Sequence, residues 1–157
     1  MSRSHAGVGK QTIYRWWPSK HALYLETYKQ LVAVVRFPSV QRKSIHNALH
    51  LFLCQLFRCY RTTAAGKILT GLIAESTRHQ DALKAVSQGL SIERHSLLAD
   101  PIHEAVKSGV LDESLNVDFA VELIVALIWK RLLTDPNQLN PAFSKTVVVA
   151  ALGHGFS

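Results

Sequence analysis

The chain has 157 residues and a formal charge of +7, with 48% apolar and 18% charged residues. That suffices for one packed domain with a small appendage and is too apolar for wholesale disorder. Eight Gly, five Pro and two Cys exclude collagen-like sequence, flexible linkers and a disulfide framework, so Cys54 and Cys59 are expected to be reduced thiols.

The charge is unevenly spread. Residues 1–61 hold ten Lys or Arg against one acid, Glu26, a net of +9; residues 62–157 hold eight basic and ten acidic residues, a net of −2. A basic front end on a mildly acidic, apolar body fits a polyanion partner at one end only. Met1 to Lys10 is polar and no apolar stretch follows it, so no targeting signal is expected. The most hydrophobic run, Phe119 to Trp129, contains Glu122 and is too short to span a bilayer. A cytoplasmic protein with no membrane partner is the expectation.

Taken in order, the elements read as helices. Gly7 and Val8 form a tight turn, and a short helix is expected from Gly9 to Trp17. On it Ile13 and Trp17, four apart, face inward, while Gln11, Thr12, Arg15 and Trp16 face outward with Tyr14 and Lys20 at the flanks. Amide, hydroxyl and guanidinium groups on one short helix suit base edges in a major groove, and the flanking residues suit phosphates. Ser19 then caps a helix reaching Arg36, which Pro38 stops. Ser44 caps a helix over residues 42–62, whose buried stripe is Ile45, Ala48, Leu49, Phe52, Leu53, Leu56, Phe57 and Tyr60.

After Gly66 a helix is expected from Lys67 to Arg78, and another from Asp81 to Lys107, with Pro101 kinking or splitting it and Gly109 ending it. Asp118 caps Phe119 to Leu133, a run apolar nearly all round that calls for burial on two sides, its own domain and a second copy. Pro141 opens a final helix through Thr146 to Leu152, although the β-branched run Thr146 to Val149 leaves strand open there.

The stretch Ala6-Gly7-Val8-Gly9-Lys10-Gln11-Thr12-Ile13-Tyr14-Arg15-Trp16-Trp17-Pro18-Ser19-Lys20 resembles the turn, recognition helix and following-helix start of the tetracycline-repressor (TetR) family of bacterial transcriptional regulators. It fits that family's A-G-V-x-x-x-T-[IL]-Y-x-x-F/W-x-x-K string. More weakly, the segment GVLDES…DFAVELIVALIWKRLLT resembles the family's ligand-binding and dimerisation domain. The resemblance implies an all-α fold: a partial helix-turn-helix over residues 1–36 and an effector-binding, dimerising body over residues 37–157. It implies that Lys10, Gln11 and Thr12 face bases and that Tyr14, Trp16 and Lys20 face the backbone or groove wall, with Arg15 assigned more loosely. The partners it implies are double-stranded operator DNA, a small effector and a second copy bound through residues 118–153. The family's DNA-binding unit has two helices ahead of the recognition helix, whereas only Met1 to His5 precede the turn here. The expectation is therefore a regulator shortened at its front, by a truncated gene, a misplaced start or trimming, with weakened DNA binding.

An apolar or aromatic effector is expected among Phe52, Phe57, Tyr60, Ile73, Leu97 and Trp129, with His46, Arg61, His95 or His103 as polar contacts. No cofactor is expected. His46 and His50 have metal-chelating spacing but lack a third ligand, and are expected as a surface pair. Gly7-Val8-Gly9-Lys10 lacks the further Gly and the Ser or Thr of a phosphate loop, and no catalytic triad or nucleophile elbow is visible, so an enzyme is not expected. The competing reading is a helical dimerisation and ligand-binding module that does not bind DNA and titrates intact relatives into inactive pairs.

Overall fold

Short polar side chains start most of the helices in the computed structural model, which describes residues 19–40 and 44–156, without the side chains of 89–96. Ser19 Oγ accepts the Ala22 N–H at 3.1 Å and opens α1, Lys20–Val32. Ser44 Oγ accepts the Asn47 N–H at 3.1 Å and opens α2, Ile45–Thr62. Each such cap contributes about 1 kcal/mol by satisfying an otherwise orphaned amide. Both serines do what the sequence predicts. α1 stops four residues short of Arg36, because the chain turns at Ala33 and Val34 and tucks Val35 into the core.

The predicted stripe of α2 is buried along its whole length, Ile45 to Tyr60. α3, Ala65–Glu75, begins close against the end of α2 at Gly66, where a Cβ would lie 2.7 Å from the Tyr60 carbonyl oxygen. The segment expected as one long helix is divided: α4 covers Gln80–Lys84, a wider π-helical turn covers Ala85–Leu90, and α5 covers Ser91–Lys107. Pro101 lies inside α5, which runs on past it to Lys107; the interruption falls upstream, in the π segment that contains Gly89. Gly109 ends α5 as expected, with φ at +79° and the amides of Val110 and Leu111 both donating back to the Ala105 carbonyl.

The cap of α6, Val117–Thr134, is Asn116 and not Asp118. Asn116 Oδ1 accepts the Phe119 N–H at 3.0 Å, which leaves Asp118 in the first turn, where its charge favours the positive end of the helix dipole. Asn140 and Pro141 open α7, Pro141–Leu152, so Pro141 stands at the expected first position. The run Thr146 to Val149 is helical: the cap and the proline start the helix, and burial of Val147 and Val148 outweighs their β preference.

Among the described residues all regular structure is helical. α1 lies chiefly on α3, α2 on α7 and α3, and α6 on α5 and α7. One continuous core, from Tyr28 to Leu152, fills the space between them.

Two histidines tie α2 to the chain's last helix. His46 is buried and its Nε2 lies 3.0 Å from the Gly153 carbonyl oxygen. Ser144 Oγ lies 2.9 Å from His50 Nδ1 and 3.3 Å from the His50 carbonyl oxygen. Phe156 meets both rings edge-on. The expected surface pair is thus a seam between helices, because the bundle brings α7 across that face of α2.

Candidate functional site at the first helix and the face of the last two

The helix expected over Gly9 to Trp17, with Lys10, Gln11, Thr12, Tyr14, Arg15 and Trp16, lies outside the described residues. Lys20, the last residue of that motif, is the first residue of α1. Its side chain is half exposed, with Nζ 4.0 Å from Glu75 Oε1. A contact at that distance leaves the ammonium free to meet a phosphate.

Beneath Lys20, α1 is fastened to α3. His21, buried, bonds through Nε2 to Glu75 Oε2 at the last turn of α3, and the His79 ring lies 5.4 Å from the His21 ring. The His21 bond is the foremost reason that the Glu75 carboxyl is held below its ordinary range; Lys20 and the two histidines add to it against partial desolvation. Two turns along α1, Tyr28 and Tyr60 of α2 meet hydroxyl to hydroxyl at 2.7 Å in the interior. Burial, then Cys59 nearby, pushes the Tyr28 phenol well above its ordinary pKa, so it stays neutral. Sequence reasoning missed this clamp, since its partners are 54 and 32 residues apart and no local spacing announces either pair.

The six residues expected around an effector divide. Phe52, Phe57 and Tyr60 are buried on α2, and Ile73 of α3 and Trp129 of α6 pack against the same core. Trp129 Nε1 is buried and bonds to no group among the described residues. Leu97 of α5 stands apart, 45% exposed, on an open groove of about 570 Å³ beside Glu26, Lys29, Val35 and Arg36. A second groove of about 240 Å³ runs between α1 and α3, lined by Tyr24, Lys67, Ile68, Gly71, Leu72 and Glu75. Of the expected polar contacts, His46 is taken up by Gly153, Arg61 and His103 are exposed, and the His95 side chain lies outside those described.

α6 buries Val117, Ala120, Val121, Ile124, Ile128 and Leu132 against its own chain. Its far side keeps Phe119 60% and Leu133 46% exposed, with Ala126 also outward. α7 likewise exposes Ala142, Lys145, Thr146 and Ala150. Glu122 and Lys130 are exposed on the same side of α6, so the pair presents a mixed outer face, with apolar residues set among charged ones, less apolar than the pattern of α6 predicts.

Residues 41–151 match the family model described as Tetracyclin repressor-like, C-terminal domain. The chain belongs to this family. It is also similar to a Bacillus subtilis (strain 168) protein named Uncharacterized HTH-type transcriptional regulator YdeS, with 23% identity over 146 residues, 93% of this chain and 73% of that one. Among solved structures, TetR family transcription regulator SCO0332 superposes with a TM-score of 0.80 at 29% identity, covering 93% of this chain and 80% of that chain. The TetR-type chain is accordingly a transcription regulator of all-helical fold, in a family whose members bind DNA and dimerise. No helix among its described residues is long and apolar enough to cross a membrane.

Proposed function

We propose that this regulator reads operator DNA as a homodimer, and that a small apolar or aromatic effector changes its grip. In this reading residues 1–36 form the reading segment, with Lys10, Gln11, Thr12, Tyr14, Arg15, Trp16 and Lys20 on the DNA. Residues 37–157 form the body, and two bodies meet through residues 118–153. The observation that carries it is the outer face of α6 and α7, where Phe119 and Leu133 stay exposed beside Ala126, Ala142 and Ala150 with Glu122 and Lys130 between them, and which a second copy would cover on the same two helices. A two-fold axis there sets the spacing of two reading segments, so the DNA recognised is an inverted repeat.

The effector reading rests on the aromatic core. Phe52, Phe57 and Tyr60 supply apolar surface, and Trp129 Nε1 supplies a buried donor for an acceptor atom. Because α1, the linking helix of the reading segment, packs on α3 and bonds to Tyr60, a change in that core reaches the DNA-facing residues through α1. The free thiols of Cys54 and Cys59 accord with a cytoplasmic protein.

Selection of bound duplexes from a random pool at low salt tests this. Enrichment of an inverted repeat, with recovery lowered or raised by an apolar aromatic compound that also lifts the melting temperature, is the expected result. No enrichment by the wild type would contradict the DNA reading. Enrichment insensitive to every stabilising compound would contradict the effector reading.

A further inference from the structure

The contact between α1 and α3 is built from titratable groups where apolar ones would have served. His21 is buried on the first turn of α1, bonded to Glu75 on the last turn of α3, with the His79 ring 5.4 Å away and Lys20 at the rim. The remaining charged groups on the elements packed against α1 are Lys67 on α3, Arg58 and Arg61 on α2, and Asp81 and Lys84 on α4. Glu75 is thus the acid that bonds the buried imidazole.

We propose that this junction is a proton-operated clamp: an imidazolium at His21 closes on the Glu75 carboxylate, and loss of the proton slackens the hold on α1. With a neutral ring, Nε2–H donates a plain hydrogen bond to the carboxylate. A second ring proton turns that bond into an ion pair of the same geometry, and ionic hydrogen bonds are roughly twice as strong as neutral ones. Imidazole is the side chain whose charge ordinarily changes between pH 5 and 8, and the carboxylate stays ionised throughout that range. The sign follows: the clamp is tight at pH 6 and looser at pH 8. Its consequence for operator affinity rests on the function proposed above, but the clamp itself is measured without DNA.

Hydrogen exchange of the full chain, followed by mass spectrometry at pH 6.0 and 8.0 and rescaled for intrinsic exchange rates, is the test. In the wild type, opening of α1 should be about threefold rarer at pH 6.0, with the middle of α2 as internal reference. His21→Gln, which keeps a neutral donor, should remove the difference, while His79→Gln should keep it. Glu75→Gln should also remove it, and serves alone should His21→Gln fail to fold. A wild-type α1 indifferent to pH, or a pH response that survives in both His21→Gln and Glu75→Gln, would overturn the clamp and leave the DNA reading untouched.

Discussion

Tyr28 and Tyr60 share a hydroxyl–hydroxyl bond of 2.7 Å between the first two helices, with their rings stacked at 6.3 Å. The bond joins α1 to the aromatic core of α2. Tyr28→Phe and Tyr60→Phe should each lower stability by about 1 kcal/mol, and the double variant by less than the sum, because both singles lose the same bond. Urea denaturation of the four proteins checks this. Strictly additive losses would show that the two hydroxyls are not coupled.

Two glycines of α3 make opposite predictions. A Cβ at Gly66 would lie 2.7 Å from the backbone oxygen of Tyr60, so Gly66→Ala forces the end of α2 to move and should cost about 1–3 kcal/mol. A Cβ at Gly71 meets nothing within 4 Å. Gly71→Ala should therefore stabilise by about 0.5–1 kcal/mol through helix propensity alone. Thermal melts of both variants suffice, and equal signs would show that α2 and α3 approach differently.

His50 gives a second pH effect, of opposite sign to that of the clamp. Burial, then the nearby Lys145, lowers the pKa of its ring below the ordinary value. The unfolded chain therefore binds this proton more readily, and the stability it contributes is fully present above the unfolded pKa, about 6.5, and is lost as pH falls from there through the lowered folded pKa. His50→Asn, whose amide can still hydrogen-bond Ser144, should flatten the acid limb of the stability profile. An unchanged acid limb would mean that another group carries it.

In the proposed reading Lys20 contacts a DNA phosphate, and its place at the start of α1 and its half-exposed side chain support that role. Lys20→Gln should weaken binding to all sequences alike and lower the slope of log affinity against log salt by about one. A change confined to one base position would instead assign Lys20 to base readout.

How far the sequence carried this picture depends on the range of the forces involved. Caps at Ser19 and Ser44, the stop at Gly109 and the start at Pro141 were legible because each acts within three or four residues of itself. The stripe of α2 was legible because periodicity is a local signal read over many residues. The cap of α6 was misplaced by two residues, since Asn116 and Asp118 are both good caps and only the backbone turn chooses between them. The division at Ala85–Leu90 was missed because Pro101 offered a more obvious breaker. His21 with Glu75, and His46 and His50 with the end of the chain, were out of reach, since only packing brings residues 54 to 107 positions apart together. Of the residues expected around an effector, three aromatic residues of α2 fell on the buried stripe, whereas Leu97 did not, because its helix turns that residue toward solvent.

The joining of two copies through α6 and α7 is the step on which the two-half-site reading stands. Sedimentation velocity of the wild type and of Ala150→Arg, which sets a charge on the exposed face of α7 without touching the core, tests it directly. The wild type should sediment at about twice the 17.5 kDa chain mass at micromolar concentration, and Ala150→Arg at the single-chain mass with its melting cooperativity retained. A wild type that stays monomeric at tens of micromolar, or a variant that still pairs, would contradict it.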